Sequence, residues 1–184
     1  MNVKFLDLKA INQRHIDEFK SSFERFVNSG WYILGNQIKD FEKDFADYCG
    51  TKFSVGVSNG LDALFLSLKA YDIGPGDEVI VPAHTYIATW LAVTYTGAKI
   101  IPVEPNQKTL NIDISKIENS ITERTKAIIL VHLYGCPVEV SSLKKILNNK
   151  SIKIIEDCAQ AHGAMYKSKR VGKDSHRLTH LRHV

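Results

Sequence analysis

Four short segments of this sequence collect residues able to bind charge or move protons: Ser58-Asn59-Gly60-Leu61-Asp62, Ala83-His84-Thr85-Tyr86, His132-Leu133-Tyr134-Gly135 and Asp157-Cys158-Ala159-Gln160-Ala161-His162-Gly163. Before the last of these, Glu156 and Asp157 set adjacent carboxylates at the end of the apolar run Ile152–Ile155, where an ionised group is costly without a partner. A carboxylate so placed can hold a proton on the ring nitrogen of a pyridine-type cofactor, which must stay protonated to accept electrons from a substrate carbanion. A salt bridge or a helix cap is the plainer alternative. In the first segment a small residue, an amide and a glycine stand where the unpaired N–H groups of a helix start would point outward, which suits a phosphate-sized anion. An ordinary cap by Ser58 or Asn59 suits the same residues. Neither G-x-G-x-x-G nor a Walker A loop is present, which argues against dinucleotide or nucleoside-triphosphate binding. Tyr86, with His84 beside it, could lay its ring on a flat cofactor or simply pack as a core aromatic. His132 and Tyr134 fit packing at a strand end as well as a role in a site.

These segments recur at regular intervals because of the elements that precede them. Runs rich in Val and Ile at Phe53–Val57, Glu78–Pro82, Lys99–Val103, Ala127–Val131 and Lys153–Glu156 read as strands. Segments of helical length lie between them at Leu61–Tyr71, Ile87–Thr96, Ile114–Ile121 and Val140–Asn148. Ahead of all these, Ile16, Phe19, Phe23 and Val27, then Ile38, Phe41, Phe45 and Tyr48, recur at helical spacing and predict two amphipathic helices. Strands alternating with helices imply an α/β fold with a mostly parallel sheet covered on both faces. In such sheets ligands bind beyond the carboxyl ends of the strands, which is where the four segments fall.

The 184 residues, 44% of them hydrophobic, are enough to bury one sizeable core. The net charge of +4 does not belong to that core, since 18 Lys and Arg face 19 Asp and Glu through Tyr166. The surplus follows as Lys167, Lys169, Arg170, Lys173, Arg177 and Arg182 against Asp174 alone. This stretch has no aromatic residue after Tyr166 and no amphipathic period, so neither nucleic acid nor a membrane surface is an expected partner. Cys49, Cys136 and Cys158 are an odd count with no close pair, arguing against a disulfide framework or a zinc site. With no signal-peptide core and no long apolar span, the expected compartment is the cytoplasm.

Asn-Gly-Leu-Asp-Ala-Leu (59 to 64), Gly-Asp-Glu-Val-Ile-Val-Pro (76 to 82), Thr-Tyr-Ile-Ala-Thr (85 to 89), Val-His-Leu-Tyr-Gly (131 to 135) and Glu-Asp-Cys-Ala-Gln-Ala-His-Gly (156 to 163) resemble, in order, the DegT/DnrJ/EryC1/StrS sugar aminotransferases. The resemblance runs from Phe5 to Gly172. It implies an incomplete fold-type I aminotransferase large domain and pyridoxal 5'-phosphate as cofactor. It also implies that Gly60 and Leu61 offer amides to the phosphate, Tyr86 stacks on the ring, Asp157 pairs with the ring nitrogen and Gln160 bonds the ring hydroxyl. His162 belongs to the same motif without an assigned role. The reaction implied is transfer of an amino group from glutamate to a nucleotide-linked keto sugar by a homodimer, in amino-sugar and surface-polysaccharide biosynthesis. The general pattern also looks like the branch acting on dTDP-linked 3-keto-6-deoxy sugars.

After Gly172 the family pattern is a Phe-Gly-Asp turn, a Phe-Ser-Phe strand and the Schiff-base lysine. Here Lys173 to Val184 shows no strand period and no lysine following its one serine, Ser175. The reading that follows divides the chain into 1–172, the N-terminal portion of the large domain, and 173–184, an aberrant basic tail from a frameshift or a genuine variant. No catalytic lysine is then expected, and the chain is expected to be truncated and inactive alone. A Rossmann-like sugar-nucleotide oxidoreductase and a non-catalytic binding or dimerisation module are the competing readings.

Overall fold

The Val- and Ile-rich runs form the strands of one parallel sheet, because β-branched side chains pack well on a pleated surface buried on both faces. The structure, a computed structural model, describes residues 4–148 and 150–172, and the backbone of 177–179. Within one compact unit, Ala46–Val184, the chain runs through α4 (Gly60–Lys69), β1 (Glu78–Pro82), α5 (Ile87–Thr96), β2 (Lys99–Val103), α6 (Ile114–Ile117), β3 (Thr125–Val131), α7 (Val140–Leu147) and β4 (Lys153–Asp157). A two-stranded hairpin, β5 (Met165–Tyr166) and β6 (Lys169–Arg170), and a last strand, β7 (Arg177–Thr179), follow. The other unit, Met1–Phe45, carries α1 (Leu8–Asn12) and α2 (Ile16–Ser29), with α3 (Asn36–Cys49) beginning in it. Asp7 caps α1 through its side chain, and α2 ends on Gly30 at φ 63, a conformation that glycine adopts without steric cost.

The sheet order is β2-β1-β3-β4-β7, every pair parallel. Alternate residues of each strand feed two cores. Val79, Val81, Ile129 and Ile155 pack with Leu64 and Leu68 of α4 and Ala92 and Val93 of α5. Ile80, Ile128, Leu130 and Ile154 pack on the other side with Ile117, Leu143 and Leu147. Each fully buried Leu or Ile contributes about 2 kcal/mol, so the layered sheet carries the stability and the loops beyond it are free to be polar. The connection from β1 leads to one neighbour, β2, and the chain then crosses back to β3 on the other side. The strands between which the chain reverses, β1 and β3, make the switch point where ligands of open α/β sheets bind.

Three expectations need correction. Phe53–Val57 forms no strand among the described residues: it joins none of the sheet's ladders there, and Phe53 and Val55 are 75% and 76% exposed. Alternating side chains make a strand only where a neighbour takes up the backbone N–H and C=O groups. Conversely, Arg177–Thr179, in the stretch read as lacking a strand period, pairs with Ile155–Asp157 at the edge of β4, since edge pairing is a backbone interaction indifferent to side-chain alternation over three residues. The helix expected over Ile114–Ile121 stops at Ile117 and continues as a 3-10 turn over Glu118–Ser120. Of the expected tail, 173–176 and 180–184 lie outside the described residues.

Candidate functional site

The helix start at α4 is capped, and the cap leaves something over. Asn59 sits extended before the helix, its Oδ1 accepting the Asp62 amide at 2.9 Å while its carbonyl accepts the Ala63 amide at 3.1 Å. Ser58 Oγ and Asn59 Nδ2 both donate to the Asp62 carboxylate. The remaining first-turn amides, those of Gly60 and Leu61, have no acceptor among the described residues. The cap and the anion site, posed as alternatives from the sequence, are thus compatible: two donors go to the cap and two remain at the positive end of a ten-residue helix. Leu61 turns its side chain into the core beside Leu64, so only its backbone can serve a ligand.

Beside this helix start lies a cleft of about 330 Å³ bordered by Gly60, Thr85, Tyr86, Thr89, Leu133, Asp157 and Gln160, among others. Its walls come from the carboxyl ends of β1, β3 and β4. Asp157, the last residue of β4, is 7% exposed, and its Oδ1 accepts the Ala159 amide at 3.0 Å, which fixes the carboxylate at the cleft wall. Tyr86, 63% exposed, precedes α5 in extended conformation, and Thr85 and Thr89 are joined by a 2.9 Å hydroxyl hydrogen bond behind it. Tyr86 is therefore no core aromatic.

Gln160 is oriented by a contact that no local pattern announces. Its Oε1 accepts the Tyr134 amide at 2.8 Å, leaving the Nε2 hydrogens as its donors. Tyr134 lies in the left-handed region at φ 56, ψ 23, which costs a non-glycine residue about 1 kcal/mol, and Gly135 follows at φ 78. Asn111, 3% exposed, bridges this turn: its Oδ1 accepts the Leu133 amide at 3.0 Å and its Nδ2 donates to the Cys136 carbonyl at 2.8 Å. The Tyr134 hydroxyl lies 3.5 Å from His84 Nε2. His162 is exposed outside the cleft lining.

His132 belongs to the frame behind the cleft. It is fully buried; its Nδ1 accepts the Val138 amide at 2.9 Å, so the proton is on Nε2, 2.9 Å from Glu156 Oε2. The same carboxylate oxygen accepts the Gly172 amide at 2.8 Å. His132, Glu156 and Cys158 bring ligand-type atoms within 4.8 Å of one another, but both imidazole nitrogens are committed, and burial, reinforced by Glu156 and Asp157, pushes the Cys158 thiol far up and away from the thiolate a metal needs. The cluster is a structural knot. Among the described residues no lysine borders the cleft; Lys167 and Lys169 border a separate cavity of about 250 Å³, and Lys167 Nζ stands 3.3 Å from Glu139 Oε1.

Two spare amides at a helix start, a carboxylate, a carboxamide donor and an exposed aromatic ring around one cleft suit a flat ligand with a basic ring nitrogen and an anionic group. The profile of the DegT/DnrJ/EryC1/StrS aminotransferase family matches residues 13–178. A dTDP-3-amino-3,6-dideoxy-alpha-D-galactopyranose transaminase of Aneurinibacillus thermoaerophilus is 55% identical over 170 residues, 92% of this chain and 47% of that protein. The crystal structure of S. venezuelae DesV in complex with a ketimine intermediate is similar at a TM-score of 0.89 and 48% identity, over 92% of this chain and 46% of that one. E. coli GDP-4-keto-6-deoxy-D-mannose-3-dehydratase with bound hydrated PLP is similar at a TM-score of 0.80 and 30% identity, over 85% of this chain and 42% of that one. The chain spans about half the length of the curated relatives it matches.

Proposed function

The chain belongs to the DegT/DnrJ/EryC1/StrS aminotransferase family, whose members use pyridoxal 5'-phosphate, and from that premise we propose that the cleft at the ends of β1, β3 and β4 receives this cofactor. The activity proposed for the whole protein is transfer of an amino group from glutamate to a nucleotide-linked keto sugar. The observation that carries the reading is the convergence of Gly60, Tyr86, Asp157 and Gln160 on one cleft, beside the spare amides of Gly60 and Leu61. The oxidoreductase reading has no such support, since the loop before α4 lacks the glycine fingerprint of a dinucleotide site.

When bound, the cofactor supplies an electron sink for a substrate carbanion. The chain's own groups do the rest. The Gly60 and Leu61 amides hold the phosphate at the helix start, where the dipole favours negative charge. Asp157 keeps the ring nitrogen protonated, and its 7% exposure gives that charge pair a poorly screened setting. Gln160 donates to the ring hydroxyl from Nε2, because Tyr134 has claimed its oxygen. Tyr86 covers one face of the ring and excludes water from it.

Because no lysine borders the cleft among the described residues, the reading extends to reversible cofactor binding by the 184-residue chain, without turnover. The dTDP-3-amino sugar transaminase relative supports a dTDP-linked 3-keto-6-deoxy sugar as substrate of the whole protein. A homodimer working in the cytoplasm, in surface-polysaccharide synthesis, completes the proposal; among the described residues no helix is long and apolar enough to cross a membrane. Titration with pyridoxal phosphate, followed by borohydride reduction and peptide mapping, tests it. The expected result is a saturable, reversible spectral change with no lysine labelled stoichiometrically. A single stoichiometric lysine adduct contradicts the absence of turnover, and NAD(P) binding without pyridoxal phosphate binding contradicts the cofactor.

A further inference from the structure

We propose that Asn111 is the positioning residue that sets the orientation of the Gln160 carboxamide, acting through the Leu133–Gly135 turn. The inference rests on the reading of Gln160 as a cofactor contact, and it adds a residue that touches neither the cofactor nor the cleft.

The turn has a shape its own residues do not favour. Tyr134 is left-handed at φ 56 although its neighbour Gly135, also left-handed, is the only glycine there. What holds Tyr134 in place is the Asn111 side chain, which takes the amide of Leu133 on one side and the carbonyl of Cys136 on the other. Asn111 is itself anchored, its own carbonyl accepting the Asn106 amide at 2.8 Å and its neighbour Ile112 pairing with Pro105. With both flanks of the turn fixed, the Tyr134 amide is aimed at Gln160 Oε1. An amide N–H can face only the oxygen end of a carboxamide, so this bond decides which way Gln160 is flipped and leaves the donor end for a ligand oxygen. Released from Asn111, the turn can relax to ordinary backbone angles and swing that N–H away. Gln160 then loses its orientation without losing any atom. The clamp needs an acceptor and a donor on one short side chain: Asp supplies only the first, and Leu neither.

The test uses the full 184-residue chain with the single variants Asn111→Leu, Asn111→Asp and Gln160→Ala, and the double variant Asn111→Leu/Gln160→Ala. In Asn111→Leu the Tyr134 amide should exchange with solvent roughly 10-fold faster while the Ile128 and Ile129 amides of β3 keep their protection. Reversible pyridoxal phosphate affinity should fall about as far as in Gln160→Ala, and the double variant should bind no more weakly than Gln160→Ala alone. A purely structural role for Asn111 would give additive losses, and additivity overturns the proposal. Unchanged Tyr134 protection in Asn111→Leu overturns it too. If the β3 amides show that Asn111→Leu has unfolded, Asn111→Asp, which keeps the Leu133 contact, carries the same comparison at smaller amplitude. Full affinity in Gln160→Ala would sink the cofactor role of Gln160, and Tyr134 exchange would still decide whether Asn111 aims the amide.

Discussion

The two ends of the parallel sheet each carry a nearly buried carboxylate, and the chain treats them in opposite ways. At the amino end, Glu78 opens β1 and is met from all sides: Thr122 Oγ1 at 2.6 Å, Arg124 Nη2 at 2.7 Å and Nε at 3.1 Å, and Lys99 Nζ at 3.6 Å. At the carboxyl end, Asp157 closes β4 against the cleft wall, with the Ala159 amide holding one oxygen. The first carboxylate is spent inside the protein and fastens β1 to the loop before β3. The second stands beside open volume, in the cleft that Gly60, Tyr86 and Gln160 also border. Residue type does not separate structure from function here; what separates them is that Glu78 is enclosed by side chains of the chain while Asp157 borders a cleft.

The largest separation should appear in Asp157→Asn. Losing a charge-assisted contact to the ring nitrogen should weaken pyridoxal phosphate binding roughly 10- to 100-fold, with the thermal midpoint little changed. Equilibrium titration beside a melting curve checks it, and a large drop in the melting temperature would place Asp157 with Glu78. Glu78→Ala should do the reverse, lowering the midpoint by roughly 5 °C with cofactor affinity within about twofold of the parent. Asn59→Ala should blur the contrast, because the cap serves both: about 1 kcal/mol of stability is lost and the Gly60 and Leu61 amides lose their preset geometry. Urea unfolding and titration of the same sample would read both losses.

The smallest effect is the acid limb. The Thr122 hydrogen bond, then Arg124, hold the Glu78 carboxyl below the ordinary Glu range. A depressed folded value means that its stabilisation is fully present above about pH 4.3 and is lost as the pH falls through that lower value. Urea midpoints measured from about pH 6 to pH 3 should therefore fall less steeply in Glu78→Gln than in the parent. Parallel curves would contradict the assignment.

How far the sequence reveals this molecule follows from the range of the interactions. Glu78–Pro82, Ile87–Thr96 and Lys99–Val103 coincide with their elements because patterning and turn signals are local. Phe53–Val57 has the pattern of a strand but joins no ladder among the described residues, and pairing is not written in a single segment. The hairpin at Met165–Arg170 turns through Lys167 and Ser168, both at positive φ, where a glycine or asparagine would have signalled it. The segments around Gly60, Tyr86, Asp157 and Gln160 stand out because ligands gather at the carboxyl ends of parallel strands, while the proposed role of each residue comes from the family resemblance. Asn111 does not stand out, since its partners lie 22 and 25 residues away and only the folded chain brings them together.

The central claim is that the carboxyl end of this sheet is a cofactor site. Following the backbone amides by nuclear magnetic resonance while pyridoxal phosphate is added tests it most directly. The account predicts that the Gly60 and Leu61 amides shift first and furthest, with Ala159 and Tyr134 following as Asp157 and Gln160 engage, while the amides around Glu78 and Thr122 stay still. Shifts centred on the amino end of the sheet, or on the Lys167–Arg170 hairpin with Gly60 and Leu61 unmoved, would contradict it.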